Sequence, residues 1–296
     1  MSSLCIKTNN ENILTYLQSE FSDFNMLNVS YSRNEFKSYK NIIIHYKGIY
    51  NELFYTKLAT ILSYLVIDYY ENSIIKNILY ANYFYFDSSE FEKILDLCDE
   101  NLCDGDEFSF VNRQIVLFNI FYEYISTHHS IVLTGFVNFR LKQYRTILEK
   151  LVDFSVNEYI IEREYFEFIS LLKVYVNSQK PSHKTVHLIS LENELLLLDE
   201  DMQLIDVNNY SLNAKYLSDV SFSNNDYILN TLLNLLPDKI YLHLISSLNN
   251  LDFINTIKLI FEEQIEICQD CNICNLYKYI VKKTGIFNTP VLIIAC

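Results

Sequence analysis

Glycine and proline are scarce in this chain of 296 residues, which contains only 4 Gly and 3 Pro and has no Trp. A glycine-rich phosphate-binding loop needs several glycines at fixed spacing, and no such pattern occurs here. Flexible linkers and low-complexity segments also depend on these two residue types. The scarcity of glycine excludes a glycine-rich nucleotide site. Because 50% of the residues are hydrophobic, the composition also indicates a folded protein with a large core.

Basic residues are also few, with 23 Lys and Arg against 37 Asp and Glu and a net charge of −14. An acidic surface repels phosphates and anionic membranes, so we expect no nucleic-acid partner. The most apolar run, residues 58–70, contains Asp68 and is shorter than the roughly 20 residues of a membrane-spanning helix. The N-terminal residues lack the pattern of a signal peptide. We therefore expect a cytoplasmic protein without a membrane span.

Hydrophobic periodicity divides the chain into regions of different character. Residues 1–180 predict a mainly helical domain with a short N-terminal α/β segment. Pro181 interrupts the helical pattern, which places the domain boundary at residues 179–184. Residues 184–274 predict a small α/β domain, and residues 275–296 form a C-terminal extension. The predicted fold class is α+β.

Several individual elements are predicted from residue types and spacing. Ser89 and Glu92 have the spacing of a capping box at a helix start. Five apolar residues at steps of four and three predict one stripe of a long helix: Val137, Leu141, Tyr144, Leu148 and Leu151. In the C-terminal domain we expect strands at 185–191, 194–198, 204–207, 239–245 and 264–268, and helices at 226–236 and 250–261. The last two strands are expected to be parallel, joined by a helical crossover.

Three of the 7 cysteines lie close together, beginning at the end of the last predicted strand. Cys268, Cys271 and Cys274 form the pattern C-x2-C-x2-C. A spacing of two residues lets the thiolates converge on one point, and soft thiolates favour zinc or an iron–sulfur cluster. The bacterial ferredoxin pattern continues with a fourth cysteine and a proline, whereas Lys278 and Tyr279 occupy those positions here. The pattern therefore predicts a metal site that lacks one ligand.

The fourth ligand has to come from elsewhere in the chain. The candidates are Cys296, Cys5, Cys98, Cys103 and a histidine such as His243. His187 and His243 lie on predicted strands, where a hydrogen-bonded core or edge histidine is the ordinary case. The alternative to a metal site is three reduced thiols, inert or redox-labile. An odd number of cysteines in a chain without an export signal argues against a disulfide framework.

No sequence pattern points to catalysis. The metalloprotease pattern H-E-x-x-H and the hydrolase pattern G-x-S-x-G do not occur. Neighbouring carboxylates such as Glu162 and Glu164 are better explained as solvated surface residues than as an acid–base pair. We therefore favour a protein that is not an enzyme, while an enzyme with an unrecognised pocket has no sequence feature in its support.

Several segments carry a family resemblance. They are LTGFVNFRLKQY at 133–144, LEKLVD at 148–153, EREYFEFI at 162–169, KIYLHL at 239–244 and FEEQIEICQDCNIC at 261–274. Together they resemble the YtxC family of sporulation proteins from spore-forming Firmicutes, over residues 131–274. No motif of that family has a known catalytic role, so the resemblance assigns no functional residues.

The resemblance implies a cytosolic protein of a sporulating bacterium that takes part in spore development. The leading hypothesis is a non-enzymatic protein that acts through a protein partner or through self-association. The alternative is a metal-binding or redox module, with zinc or an iron–sulfur cluster bound by Cys268, Cys271 and Cys274.

Overall fold

A computed structural model describes residues 2–24, 26–37, 39–104, 108–182, 184–191, 194–207, 223–245 and 251–284. The fold class is α+β, as predicted. The chain divides into two compact units, Met1–Glu162 and Arg163–Cys296. This division lies inside a long helix, whereas the boundary expected from the sequence lies just after that helix. No helix within the described residues is long and apolar enough to cross a membrane.

The N-terminal unit contains a four-stranded sheet with helices packed on it. Its elements are β1 (Ser2–Thr8), α1 (Glu11–Ser22), β2 (Val29–Glu35), β3 (Lys40–Tyr46), α2 (Asn51–Tyr69), α3 (Glu71–Asn82), α4 (Ser88–Asp104), α5 (Phe110–Thr127), β4 (Ser130–Val132), α6 (Leu133–Arg140) and the first part of α7 (Lys142–Ser178). The strand order is β2-β3-β1-β4. Strand β3 is antiparallel to both neighbours, and β4 is parallel to β1.

Alternation along the strands sets which face of this sheet is buried. In β1, Leu4 and Ile6 are buried while Cys5 between them is half-buried on the other face. The buried side chains of β3 join the same cluster, which also contains Phe54 of α2 and Phe121 of α5. A strand with this period of two therefore has one face against the helices and one face partly open to solvent.

The capping box at the start of α4 lies two residues earlier than predicted, at Asp87 and Glu90 instead of Ser89 and Glu92. The Asp87 carboxylate accepts the backbone N–H groups of Ser89 and Glu90, at 2.8 and 2.9 Å. The Glu90 carboxylate in turn accepts the Asp87 N–H at 2.8 Å. Asp is as good an N-cap residue as Ser, and it comes earlier in the chain, so the helix begins at Ser88.

The predicted single helix through Val137 and Leu141 is interrupted. Leu141 has φ −88° and ψ 38°, which ends α6 and separates it from α7. Both side chains are nevertheless buried, so the apolar stripe continues across a break that periodicity cannot detect. Strand β4 was not predicted, because three residues are too few for a strand pattern and its pairing with β1 comes from tertiary structure.

The C-terminal unit contains a second four-stranded sheet. Its elements are the rest of α7, β5 (Thr185–Ser190), β6 (Leu195–Leu198), α8 (Asn224–Leu235), β7 (Lys239–Leu244), α9 (Leu251–Ile260), β8 (Ile265–Ile267) and α10 (Asn272–Thr284). The strand order is β6-β5-β7-β8. Strand β6 is antiparallel to β5, and β5, β7 and β8 are parallel. The predicted parallel arrangement of the last two strands across a helix is confirmed.

The third strand predicted in this unit, residues 204–207, does not form. Only an isolated bridge joins Leu204 to Leu198. The Asp199 carboxylate accepts the N–H groups of Asp201 and Gln203, at 3.0 and 2.8 Å. This side chain stabilises a tight turn directly after β6, and the returning chain makes one bridge instead of a ladder.

Two separate apolar clusters lie against the second sheet. One contains Val186, Leu188 and Leu242 from the strands with side chains of α7, α8 and α9. The other is much smaller and centres on Ile189, Leu191 and Leu198, with Ile273 and Tyr277 of α10 packed against it. Because side chains alternate along β5, the two clusters lie on opposite faces. Helix α10 therefore docks on the second face, through Ile273 and Tyr277 among the side chains that the structure describes.

Candidate metal centre

One histidine and three cysteines meet where β7 and β8 end and α10 begins. The residues are His243, Cys268, Cys271 and Cys274, and their candidate ligand atoms all lie within 4.8 Å of one another. The carboxyl ends of parallel strands are a common place for binding sites in sheets of this kind. The three cysteines of the C-x2-C-x2-C pattern are thus brought together, and His243 is the fourth candidate ligand that joins them.

Strands β7 and β8 position the first two residues. His243 is the fifth residue of β7 and lies on the face opposite Leu242, with only 2% of its surface exposed. Cys268 follows β8 directly, and its N–H donates to the Leu242 carbonyl at 3.0 Å. This hydrogen bond extends the β7–β8 pairing by one step, so the Cys268 side chain is held beside the end of β7.

The start of α10 positions the other two thiols. Asp270 adopts a left-handed backbone conformation, φ 72°, which turns the chain from the strand into the helix. Cys271 precedes the helix, and its carbonyl accepts the Asn275 N–H at 3.1 Å. Cys274 lies one turn later and is buried, while a 2.7 Å ion pair between Asp270 and Lys278 ties the turn to the helix.

Four of the six separations between the candidate ligand atoms fit a single tetrahedral ion. The Cys274 Sγ atom is 3.7 Å from that of Cys268 and 3.9 Å from that of Cys271. The His243 Nδ1 atom is 3.4 Å from the Cys274 sulfur and 3.6 Å from the Cys271 sulfur. A tetrahedral zinc ion requires about 3.8 Å between sulfurs and about 3.6 Å between nitrogen and sulfur, from its usual bond lengths.

The thiols differ in how easily they ionise. Burial raises the pKa of the Cys274 thiol to about 11, as does its hydrogen bond to the Cys268 sulfur. Burial also opposes ionisation of Cys271, but hydrogen bonds from the Cys274 N–H and the Cys268 thiol outweigh it and lower the pKa of Cys271. The N-terminus of α10 favours negative charge at the same place. A divalent cation would compensate the thiolate charges that burial otherwise disfavours.

A second histidine contacts the first on the side away from the thiols. The Nδ1 atom of His187, on β5, is 3.0 Å from the Nε2 atom of His243. Burial lowers the pKa of both imidazoles, which favours the neutral form that a metal ligand needs. The sequence placed both residues on strands, but their contact depends on the pairing of β5 with β7, which no local pattern reveals.

Three of the remaining candidates for the fourth ligand lie elsewhere. Cys5 is on β1, and Cys98 and Cys103 are on α4, all in the N-terminal unit. Cys296 lies outside the described residues. All six described cysteines are free thiols.

Comparison with known proteins identifies the family. The model of the YtxC-like family matches residues 56–266, which is more than half of the chain, and the chain therefore belongs to the YtxC-like family. A relative in Bacillus subtilis (strain 168), described as uncharacterized protein YtxC, is 25% identical over 142 residues. That alignment covers 46% of this chain and 47% of the relative, so the chain matches about half the length of that protein. No solved structure matches.

Proposed function

We propose that this chain is a metal-binding member of its family, in which one zinc ion holds the C-terminal unit together. The ligands are Nδ1 of His243 and the Sγ atoms of Cys268, Cys271 and Cys274. The supporting observation is the spacing of these atoms: four of their six separations are 3.4 to 3.9 Å, close to those of a tetrahedral site, and all lie within 4.8 Å. Since the protein supplies all four ligands, no position stays open for a substrate, which is the mark of a structural zinc site.

Zinc fits this ligand set better than an iron–sulfur cluster does. In a [4Fe–4S] cluster each thiolate binds a different iron, and their sulfurs lie farther apart than the 3.7 and 3.9 Å observed here. In a [2Fe–2S] cluster the four ligands are divided between two irons, whereas all four ligand atoms here lie within 4.8 Å of one another. Three thiolates and one imidazole also form one of the common structural zinc sets. Hard cations such as magnesium and calcium are disfavoured, because they bind oxygen ligands.

The role of the ion is to fix α10 on the second face of the sheet. Two of its ligands lie at the end of the sheet and two at the start of α10, so the ion joins the helix to the strands. Among the described side chains the apolar cluster under the helix is small, and the burial of these side chains alone gives the helix limited stability. A structural zinc ion contributes folding free energy directly.

The metal content of purified protein tests this proposal. We expect about one zinc per chain in anaerobically purified protein, colourless and without sulfide. Changing the three cysteines to serine removes metal binding, whereas Cys103→Ser, an exposed thiol on α4, leaves the stoichiometry unchanged. A folded wild type that stays metal-free after incubation with zinc contradicts the proposal, and iron with sulfide contradicts the choice of zinc.

A second candidate function, compatible with the first, is a non-enzymatic role in sporulation through contacts between copies of the chain in the cytoplasm. Among the large apolar side chains that helix α7 exposes, four recur at steps of seven, three and four: Ile161, Phe168, Leu171 and Tyr175. This spacing is typical of a helix that pairs with an identical helix. Six free thiols fit a reducing compartment.

The oligomeric state tests the second candidate. We expect a concentration-dependent dimer in sedimentation velocity, which Leu171→Glu weakens because a carboxylate then enters the apolar contact. The matched control is Phe139→Glu, at an exposed apolar residue of α6, which leaves the dimer intact. A wild type that stays monomeric at high concentration excludes self-association and directs the search to another protein partner.

A further inference from the structure

The contact between His187 and His243 restricts where the imidazole protons lie. The two ring nitrogens are 3.0 Å apart, a hydrogen-bond distance, so one proton lies between them when both rings are neutral. Either His243 donates from Nε2 or His187 donates from Nδ1. The Nδ1 atom of His243, which faces the thiols, is unprotonated in the first arrangement and protonated in the second.

Only one arrangement is compatible with a bound metal. If His243 donates from Nε2, its Nδ1 carries a lone pair toward the sulfurs of Cys271 and Cys274, at 3.6 and 3.4 Å. If His187 donates instead, the neutral His243 ring carries its proton on Nδ1 and directs it at the same sulfurs. The acceptor on the far side of the ring therefore decides whether His243 is ready to bind an ion.

We infer that His187 is a positioning residue for the metal centre: its Nδ1 accepts the Nε2 proton of His243 and thereby directs the Nδ1 lone pair of His243 at the metal. This inference rests on the proposed zinc site. His187 itself does not reach the ion and acts through His243. Such outer partners of a ligating histidine fix its ring orientation and its tautomer.

The sheet holds His187 in the place that this role requires. The β5–β7 register pairs His187 with Tyr241 and Ile189 with His243, so both histidines lie on the same face of adjacent parallel strands. The His187 ring stacks on Tyr241, with centroids 5.2 Å apart and an angle of 18°. It also lies 5.3 Å from the His243 ring, at 27°. These contacts limit rotation of the His187 side chain, so its Nδ1 stays directed at His243.

Two substitutions separate the hydrogen bond from the shape of the ring. His187→Phe retains an aromatic ring for stacking on Tyr241 but removes the acceptor. His187→Asn retains an acceptor oxygen at about the place of Nδ1 but removes the ring. The full-length protein is loaded with zinc, and its zinc affinity is measured by competition with a chromophoric chelator at fixed pH.

We expect His187→Phe to weaken zinc binding by about 10- to 100-fold, the usual effect of losing an outer partner. We expect the zinc affinity of His187→Asn to stay within about threefold of that of the wild type. The control His129→Phe, at an exposed histidine of the N-terminal unit, is expected to bind zinc as tightly as the wild type does. In the metal-free wild type, we expect ¹⁵N shifts of the His243 ring to place the proton on Nε2, and we expect His187→Phe to remove this preference. A purely structural role of His187 predicts neither this tautomer nor rescue by Asn.

The outcomes distinguish failure of this inference from failure of the proposed zinc site. If the wild type binds no zinc, the zinc site itself is wrong, and the inference falls with it. If the wild type binds one zinc ion and His187→Phe binds it equally tightly, only the role of His187 is overturned. The same holds if the proton of the His243 ring lies on Nδ1 in the metal-free wild type.

Discussion

Removing the metal with a chelator is expected to release α10 from the sheet while the opposite face stays folded. The helix is held by the small cluster around Ile189 and Leu191 and by the ion proposed at Cys271 and Cys274. Side chains of α8 and α9, in contrast, belong to the larger cluster on the first face. At a free zinc concentration 100-fold above the dissociation constant, binding stabilises the docked helix by about 2.7 kcal/mol.

Hydrogen exchange measures this release directly. We expect amides of residues 272–284 to exchange about 100-fold faster after chelation, the factor that corresponds to 2.7 kcal/mol. Peptides from α9 (Leu251–Ile260) serve as an internal reference and change far less. The Cys103→Ser variant should behave as the wild type does. Equal exchange of α10 with zinc and with chelator would mean that the ion does not hold the helix.

The sequence predicts the thiols of the candidate centre well, because their spacing is local. Cys268, Cys271 and Cys274 lie within seven residues, so any turn between a strand and a helix brings their sulfurs near one another. The periodicity of β7 and β8 is likewise local, which is why the strands and their parallel order could be predicted. His243 was one of several candidates for the fourth ligand.

What the sequence could not supply depends on contacts between distant segments. Choosing His243 requires the register of β7 against β8, and finding His187 requires the register of β5 against β7. The short strand β4 forms only because β1 offers it a pairing edge. The break at Leu141 leaves the apolar period unchanged. Register and tertiary pairing are not encoded in a period of hydrophobic residues.

The N-terminal unit also contains a buried ion pair that the sequence does not predict. Glu71, the first residue of α3, is only 6% exposed. Its carboxylate lies 3.1 Å from the Nε atom of Arg113 on α5 and accepts the hydroxyl of Tyr144 on α7. Arg113 also donates to the Phe108 carbonyl at 2.9 Å. These residues are far apart in sequence, so no motif indicates that they form one buried cluster.

Replacing Glu71 by alanine is expected to lower the free energy of unfolding by about 3–5 kcal/mol, because the Arg113 guanidinium and the Tyr144 hydroxyl then lose the buried carboxyl group that they contact. Urea denaturation followed by circular dichroism measures the loss. Changing both residues of the ion pair together, Glu71→Leu with Arg113→Met, is expected to restore most of the lost unfolding free energy. The reason is that apolar residues of similar volume replace buried ion pairs well. A loss from the double variant as large as that from Glu71→Ala would show that packing, not charge, is responsible.

The unfolding free energy that Glu71→Ala loses should also depend on pH. Burial raises the pKa of the Glu71 carboxyl, although the Tyr144 hydroxyl and Arg113 act in the opposite direction. A carboxyl with a raised pKa in the folded state contributes its full stability below the unfolded pKa of about 4.3, and loses it as the pH rises through the folded pKa. The difference in unfolding free energy between wild type and Glu71→Ala should therefore be largest below the unfolded pKa of about 4.3 and shrink as the pH rises above it. A difference that grows with pH would mean that Arg113 stabilises the carboxylate more than burial penalises it.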